Sequence, residues 1–91
     1  MRAKDLKNGV PADWTIHYED LVFSGSLSDE VFYFSFETPD GEFSDSYEFV
    51  ADEDNIPKSR VLAIIVRSHF IDNDYPDWVN DVLKSFANEI D

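Results

Sequence analysis

Few side chains of this 91-residue chain could do covalent chemistry. There are two histidines, His17 and His69, and no cysteine. Thiolate nucleophiles, disulfides and thiolate metal sites are therefore excluded. His17 alternates with Trp14, Ile16 and Tyr18 and is expected to face solvent. His69 ends an apolar run, and no nucleophile motif pairs a serine with either histidine as its base. Two histidines without cysteine are a poor transition-metal set. Carboxylates abound, but neither acidic turn fits a calcium loop. With Asp52 and Asp54 at positions 1 and 3 of an EF-hand loop, the glycine position holds Pro57 and the final glutamate position holds Ala63. With Asp72 and Asp74 there, the final position holds Leu83. Both fail. Paired carboxylates can run acid–base hydrolysis, but with 20 acids some pair is always at hand and carries no signal. Only Gly9, Gly25 and Gly41 exist, so no glycine-rich phosphate loop can form. The chain is expected not to be an enzyme and to need no cofactor or metal.

The charge is the strongest feature. The net charge is −13, and between Lys7 and Lys58 there are thirteen carboxylates and no lysine or arginine. Residues 1–7 carry +2, residues 58–67 carry +3 and residues 68–91 carry −5. Such a field repels nucleic acid and anionic membranes and attracts basic surfaces. Solubility and edge protection would also explain acidity, although lysine would protect a strand edge equally well.

These charges must be positioned by a central hairpin over residues 31–50. The stretch holds seven of the fourteen aromatics and five carboxylates, arranged as two alternating runs around Pro39-Asp40-Gly41. A two-residue type I′ turn at Asp40-Gly41 sets Phe36 opposite Asp45, Phe34 opposite Tyr47 and Phe32 opposite Phe49. One face then carries Phe32, Phe34, Phe36, Phe43, Tyr47 and Phe49. The other carries Tyr33, Ser35, Glu37, Ser44, Ser46 and Glu48. A three-residue turn including Pro39 would pair Phe34 with Ser46 and Tyr33 with Tyr47. Burial favours the first register, because a one-residue slip turns every side chain over.

The remaining elements follow from period and punctuation. Residues 2–8 read as a short helix stopping at Asn8-Gly9. Residues 14–23 read as one strand with a bulge at Glu19-Asp20, with a helix from Pro11 as the rival. Residues 24–29 read as a loop. Pro57 or Ser59 opens a helix whose apolar face gathers Val61, Leu62, Ile65, Val66 and His69, widened by Ile64 and Phe70; a buried strand over residues 61–66 is the alternative. Pro76-Asp77 opens an amphipathic helix carrying Trp78, Val79, Val82, Leu83, Phe86 and Ile90. The expected fold is α+β and one small domain over residues 1–91. It has a three-stranded antiparallel meander, a short N-terminal helix and two C-terminal helices on one sheet face. No apolar run approaches a membrane span and the N-terminus does not read as a signal peptide, so a cytoplasmic location is expected.

The helix, meander with its Asp40-Gly41 turn, paired C-terminal helices and acidity together resemble the small phage anti-CRISPR proteins. That resemblance implies DNA mimicry: occupation of the groove with which a nuclease reads its target. The candidate contacts, taken from the charge pattern, are Glu37, Asp40, Glu42, Asp45, Glu48, Asp52, Glu53 and Asp54, with Tyr33 beside them. The expected partner is a basic protein surface, such as a nucleic-acid-binding nuclease, with no direct contact to nucleic acid or membrane. The alternative is a protein–protein module, such as an immunity protein or assembly adaptor, anchored by exposed aromatics: Tyr33, Tyr75 or Trp14.

Overall fold

The computed structural model describes residues 1–51, 55–72 and 74–91. A 3₁₀ helix (Ala3–Asn8) leads into four antiparallel strands: β1 (Asp13–Tyr18), β2 (Leu21–Ser28), β3 (Val31–Glu37) and β4 (Ser44–Val50). Two helices follow, α1 (Lys58–Ile65) and α2 (Asp77–Ile90), with a π turn (Val66–Phe70) continuing α1. The strands lie in sequence order, so the sheet is a plain meander of four strands rather than the expected three.

The extra strand comes from residues 19–29. Glu19-Asp20 is a tight hairpin, not a bulge: Tyr18 pairs with Leu21 and Trp14 with Gly25. The expected loop at residues 24–29 is mostly β2, which pairs with β1 and β3 along Ser24, Gly25 and Ser26. Serine and glycine are turn formers in isolation, but between two strands they complete both ladders. Glu19 and Asp29 open their two-residue turns in the left-handed region, at φ 52° and 56°.

The central hairpin has the expected register: Phe32 pairs with Phe49, Phe34 with Tyr47 and Phe36 with Asp45. Its turn differs. Type I′ needs positive φ at both central residues, and of Asp40 and Gly41 only Gly41 has it, at 73°. Instead the Gly41 amide donates to the Thr38 carbonyl (2.9 Å), a turn with Pro39 at its second position. Thr38 then pairs with Phe43 by backbone hydrogen bonding, which leaves a four-residue loop in the same register.

The helices cover one face of the sheet. Phe23, Phe32, Phe34 and Phe36 are wholly buried against Leu62, Val66, Phe70, Leu83 and Phe86. The rings of Phe23 and Phe86 stack at 4.0 Å, and Phe70 meets Phe34 edge-on at 4.9 Å. Such pairs add roughly 0.5–1.5 kcal/mol beyond their buried area. On α2, Val79, Val82, Leu83, Phe86 and Ile90 face inward as their spacing predicts, but Trp78 stays 42% exposed. On α1 the buried face is rotated from the expected one: Ser59, Leu62, Ala63, Val66 and Phe70 face in, while Ile64 and His69 face out. Small Ser59 and Ala63 suit close packing there, and Pro57, not Ser59, occupies the N-cap position.

Candidate functional site

The second face of the sheet has no covering layer among the described residues. Side chains opposite one another across strands point the same way, so the register lays this face out in rows. The middle row is Thr15, Ser24, Ser35 and Ser46. One flanking row is Asp13, Ser26, Tyr33 and Glu48. The other is His17, Val22, Glu37 and Ser44. Two shallow, contiguous depressions, of about 500 and 480 Å³, lie on this face and share Ser24 and Tyr33 in their linings. At one end Val31 pairs with Val50, and both are exposed beside Tyr33, itself 44% exposed.

The candidate contacts within the described residues divide into three groups. Tyr33, Glu37 and Glu48 stand together on the open face, with Tyr33 directly opposite Glu48. Asp40 and Glu42 lie in the β3–β4 loop at the end of the sheet. Asp40 Oδ1 accepts hydrogen bonds from the Thr38 hydroxyl (2.6 Å) and the Glu42 amide (3.0 Å). These bonds, the Thr38 one first, hold its carboxyl below the usual carboxylate range. Asp45 shares the helix-side face with its partner Phe36. Its Oδ2 accepts from the Tyr75 hydroxyl (2.8 Å) and its Oδ1 from the Ser46 amide (2.8 Å). Asp45 therefore ties β4 to the segment before α2 rather than joining the open face. Asp52, Glu53 and Asp54 lie outside the described residues.

Two of the expected aromatic anchors are also corrected. Trp14 is 6% exposed and packs in the core against Phe34 and Phe86. Tyr75 is half-buried, edge-on to Phe36 and Phe43, and partial burial, then the bond to Asp45, raises its phenol above the ordinary 10.0. His17 is exposed as expected, while His69 stacks on Tyr47 at 4.2 Å rather than joining the apolar face.

The sheet also sorts the charge. All seven lysines and arginines lie on or beside the helical elements: Arg2, Lys4 and Lys7 at the 3₁₀ helix, Lys58 and Arg60 on α1, Arg67 in the π turn and Lys84 on α2. Seven carboxylates share those segments: Asp5, Asp72, Asp74, Asp77, Asp81, Glu89 and Asp91. That layer is formally neutral, and Asp91 draws in both Arg67 (2.8 Å) and Arg60 (3.8 Å). The sheet and its turns hold ten carboxylates and no cation, and residues 52–54 supply the other three of the net −13.

Of the hydroxyl row, alternation in the hairpin places Ser35 and Ser46 on the open face, whereas Thr15 and Ser24 join them only because residues 24–28 form β2 instead of the expected loop. Trp78, which its spacing places on the apolar face of α2, instead lines a cleft of about 280 Å³ with Asp20, Thr38, Pro39 and Asp40. Among the described residues, no group of three or more histidine or carboxylate side chains is placed to hold a metal ion, and no helix is long and apolar enough to cross a membrane. Comparison with known protein families, with curated proteins and with solved structures finds no match for this chain.

Proposed function

We propose that this protein is a binding protein that presents its acidic sheet to a basic surface, and that it blocks a nucleic-acid-binding protein by filling the groove meant for phosphates. The observation that carries this reading is the charge sorting: the entire formal excess belongs to the sheet, its turns and residues 52–54, while the helical layer is balanced. A two-sided charge distribution orients an approaching basic partner as well as attracting it, which raises the association rate. Glu37 and Glu48 stand on the open face with Tyr33, and Asp40 and Glu42 extend the acidic surface around the end of the sheet. This is the strategy of the anti-CRISPR proteins whose layout the chain resembles, and a CRISPR nuclease is one partner of the right chemistry.

A second reading rests on the exposed Val31–Val50 pair beside Tyr33. Apolar and aromatic anchors of this kind dominate the affinity of ordinary protein–protein modules. One experiment separates the two. The immobilised protein captures partners from lysate and is washed at low and high salt, and each partner is assayed for nucleic-acid binding with and without the protein. A single stoichiometric basic partner, released by salt and blocked from its nucleic acid, supports mimicry. Replacing Glu37, Asp40, Glu42 and Glu48 by glutamine should then weaken capture and flatten its salt dependence. A partner that survives high salt and is lost with Tyr33→Ala favours the module. A smear of basic proteins, none inhibited, would refute both.

A further inference from the structure

We propose that the open sheet face is a seat for a basic α-helix of the partner, laid across the four strands along the row Thr15, Ser24, Ser35 and Ser46. The proposal deepens the reading above by naming the partner element, and it rests on that reading for the partner's charge.

The dimensions of the face match those of a helix. Residues two apart on a strand lie about 7 Å apart, so the two flanking rows stand about 13 Å from one another. Three interstrand spacings make the trough about 14 Å long. An α-helix is about 10–12 Å across with its side chains and covers about 14 Å in nine or ten residues. The floor is built only of hydroxyl side chains, which allow close approach. Tyr33 stands on one flank and Val22 on the other, and the depressions on this face adjoin Tyr33.

Backbone chemistry selects a helix over an extended segment. The face of a sheet offers no free backbone donors or acceptors, because these point sideways to neighbouring strands. An extended chain drying against it would leave its own amides unpaired, whereas a helix satisfies them internally. The opposite face of this sheet is covered by helices in the same way. Charge selects the kind of helix. Asp13, Glu37 and Glu48 border the trough, and the sheet carries no cation. Lysines and arginines flanking a small-residue strip would reach both flanks. A second copy of this chain would bring like charges together, and nucleic acid has the wrong sign.

The probe is an amidated alanine–lysine peptide of about 16 residues, long enough to be helical, with lysines flanking an alanine strip. Its control has the same composition plus two central prolines, which forbid the helix. Amide NMR shifts of the full protein report the contact. The expected result is saturable shifts centred on Thr15, Ser24, Ser35 and Ser46, with the proline peptide at least about tenfold weaker. Ser35→Arg, which fills the floor, should weaken binding about tenfold. Asp74→Asn makes the same charge change in the exposed loop before α2, away from the trough, and should cost less than about threefold. Thr15→Arg, at the edge strand, gives the same test if Ser35→Arg disturbs the fold. Equal binding of the proline peptide, shifts scattered over every carboxylate, or equal effects of the floor and loop variants would overturn the proposal. So would floor shifts produced by the protein's own concentration or by duplex DNA. The peptide test is independent of lysate capture. A captured basic partner that leaves the floor signals unmoved would refute the trough and leave the functional reading standing.

Discussion

Gly25→Ala should destabilise the protein even though alanine is the better strand residue. Gly25 pairs with Trp14 on one side and Phe34 on the other. A Cβ built at Gly25 would lie 2.6 Å from Trp14 Cε2 and 2.8 Å from Nε1. Ordinary carbon contacts need about 3.5–4.0 Å, so the indole must retreat by about 1 Å. Gly25 cannot yield instead, because it lies in ladders on both sides. The retreat pushes the indole against Phe34 and Phe86, whose centroids lie 6.0 and 6.3 Å away. Overpacking of this kind costs about 1–3 kcal/mol, offset by about 0.5–1 kcal/mol of unfolded-state entropy that alanine saves. The net expectation is a loss of about 1–2 kcal/mol. With an m-value near 1 kcal/mol/M for a chain of this size, the urea midpoint falls by roughly 1–2 M. A double-mutant cycle identifies the cause. Trp14→Val costs about 3 kcal/mol by itself, but in that background Gly25→Ala should be neutral or stabilising by about 0.5 kcal/mol. A single variant within about 0.5 kcal/mol of the parent, or a penalty that persists without the indole, would refute the reasoning.

Three further outcomes are expected. Burial raises the Tyr18 and Tyr75 phenols above 10.0, with Glu19 and Glu89 adding for Tyr18 and Asp45 for Tyr75. Their contribution to stability is therefore fully present below pH 10 and is lost as the pH rises through the folded values; an alkaline absorbance titration should lose its last step in Tyr75→Phe. Glu19→Gly and Asp29→Gly should each raise the thermal midpoint, by about 0.5 kcal/mol equivalent, because relief of left-handed strain slightly exceeds the entropy cost of glycine. Raising ionic strength from about 0.01 to about 1 M should raise the melting temperature, since screening weakens the self-repulsion of a chain at −13, and calorimetry at several salt concentrations checks this.

The sequence by itself determined the features that depend on local period. The two-residue alternation over residues 31–50 set the register of the central hairpin, since only that register buries Phe32, Phe34, Phe36 and Phe49 together. The 3.6-residue period set the buried side of α2 from Val79 to Ile90. The absence of cations between Lys7 and Lys58 made the sheet acidic whatever its detailed shape. Tertiary structure decided what depends on neighbours. Ser24-Gly25-Ser26 has no intrinsic strand preference and becomes β2 because β1 and β3 flank it and the indole of Trp14 needs the space over Gly25. Glu19 and Asp29 accept left-handed backbone only because strand pairing on both sides demands a tight turn there. Packing left Trp78 partly in solvent and turned His69 out to Tyr47. The acidic segment likewise divides by strand direction. Glu37 and Glu48 face the open side while Asp45 turns to Tyr75, because odd and even residues of paired strands point to opposite faces once the register is set.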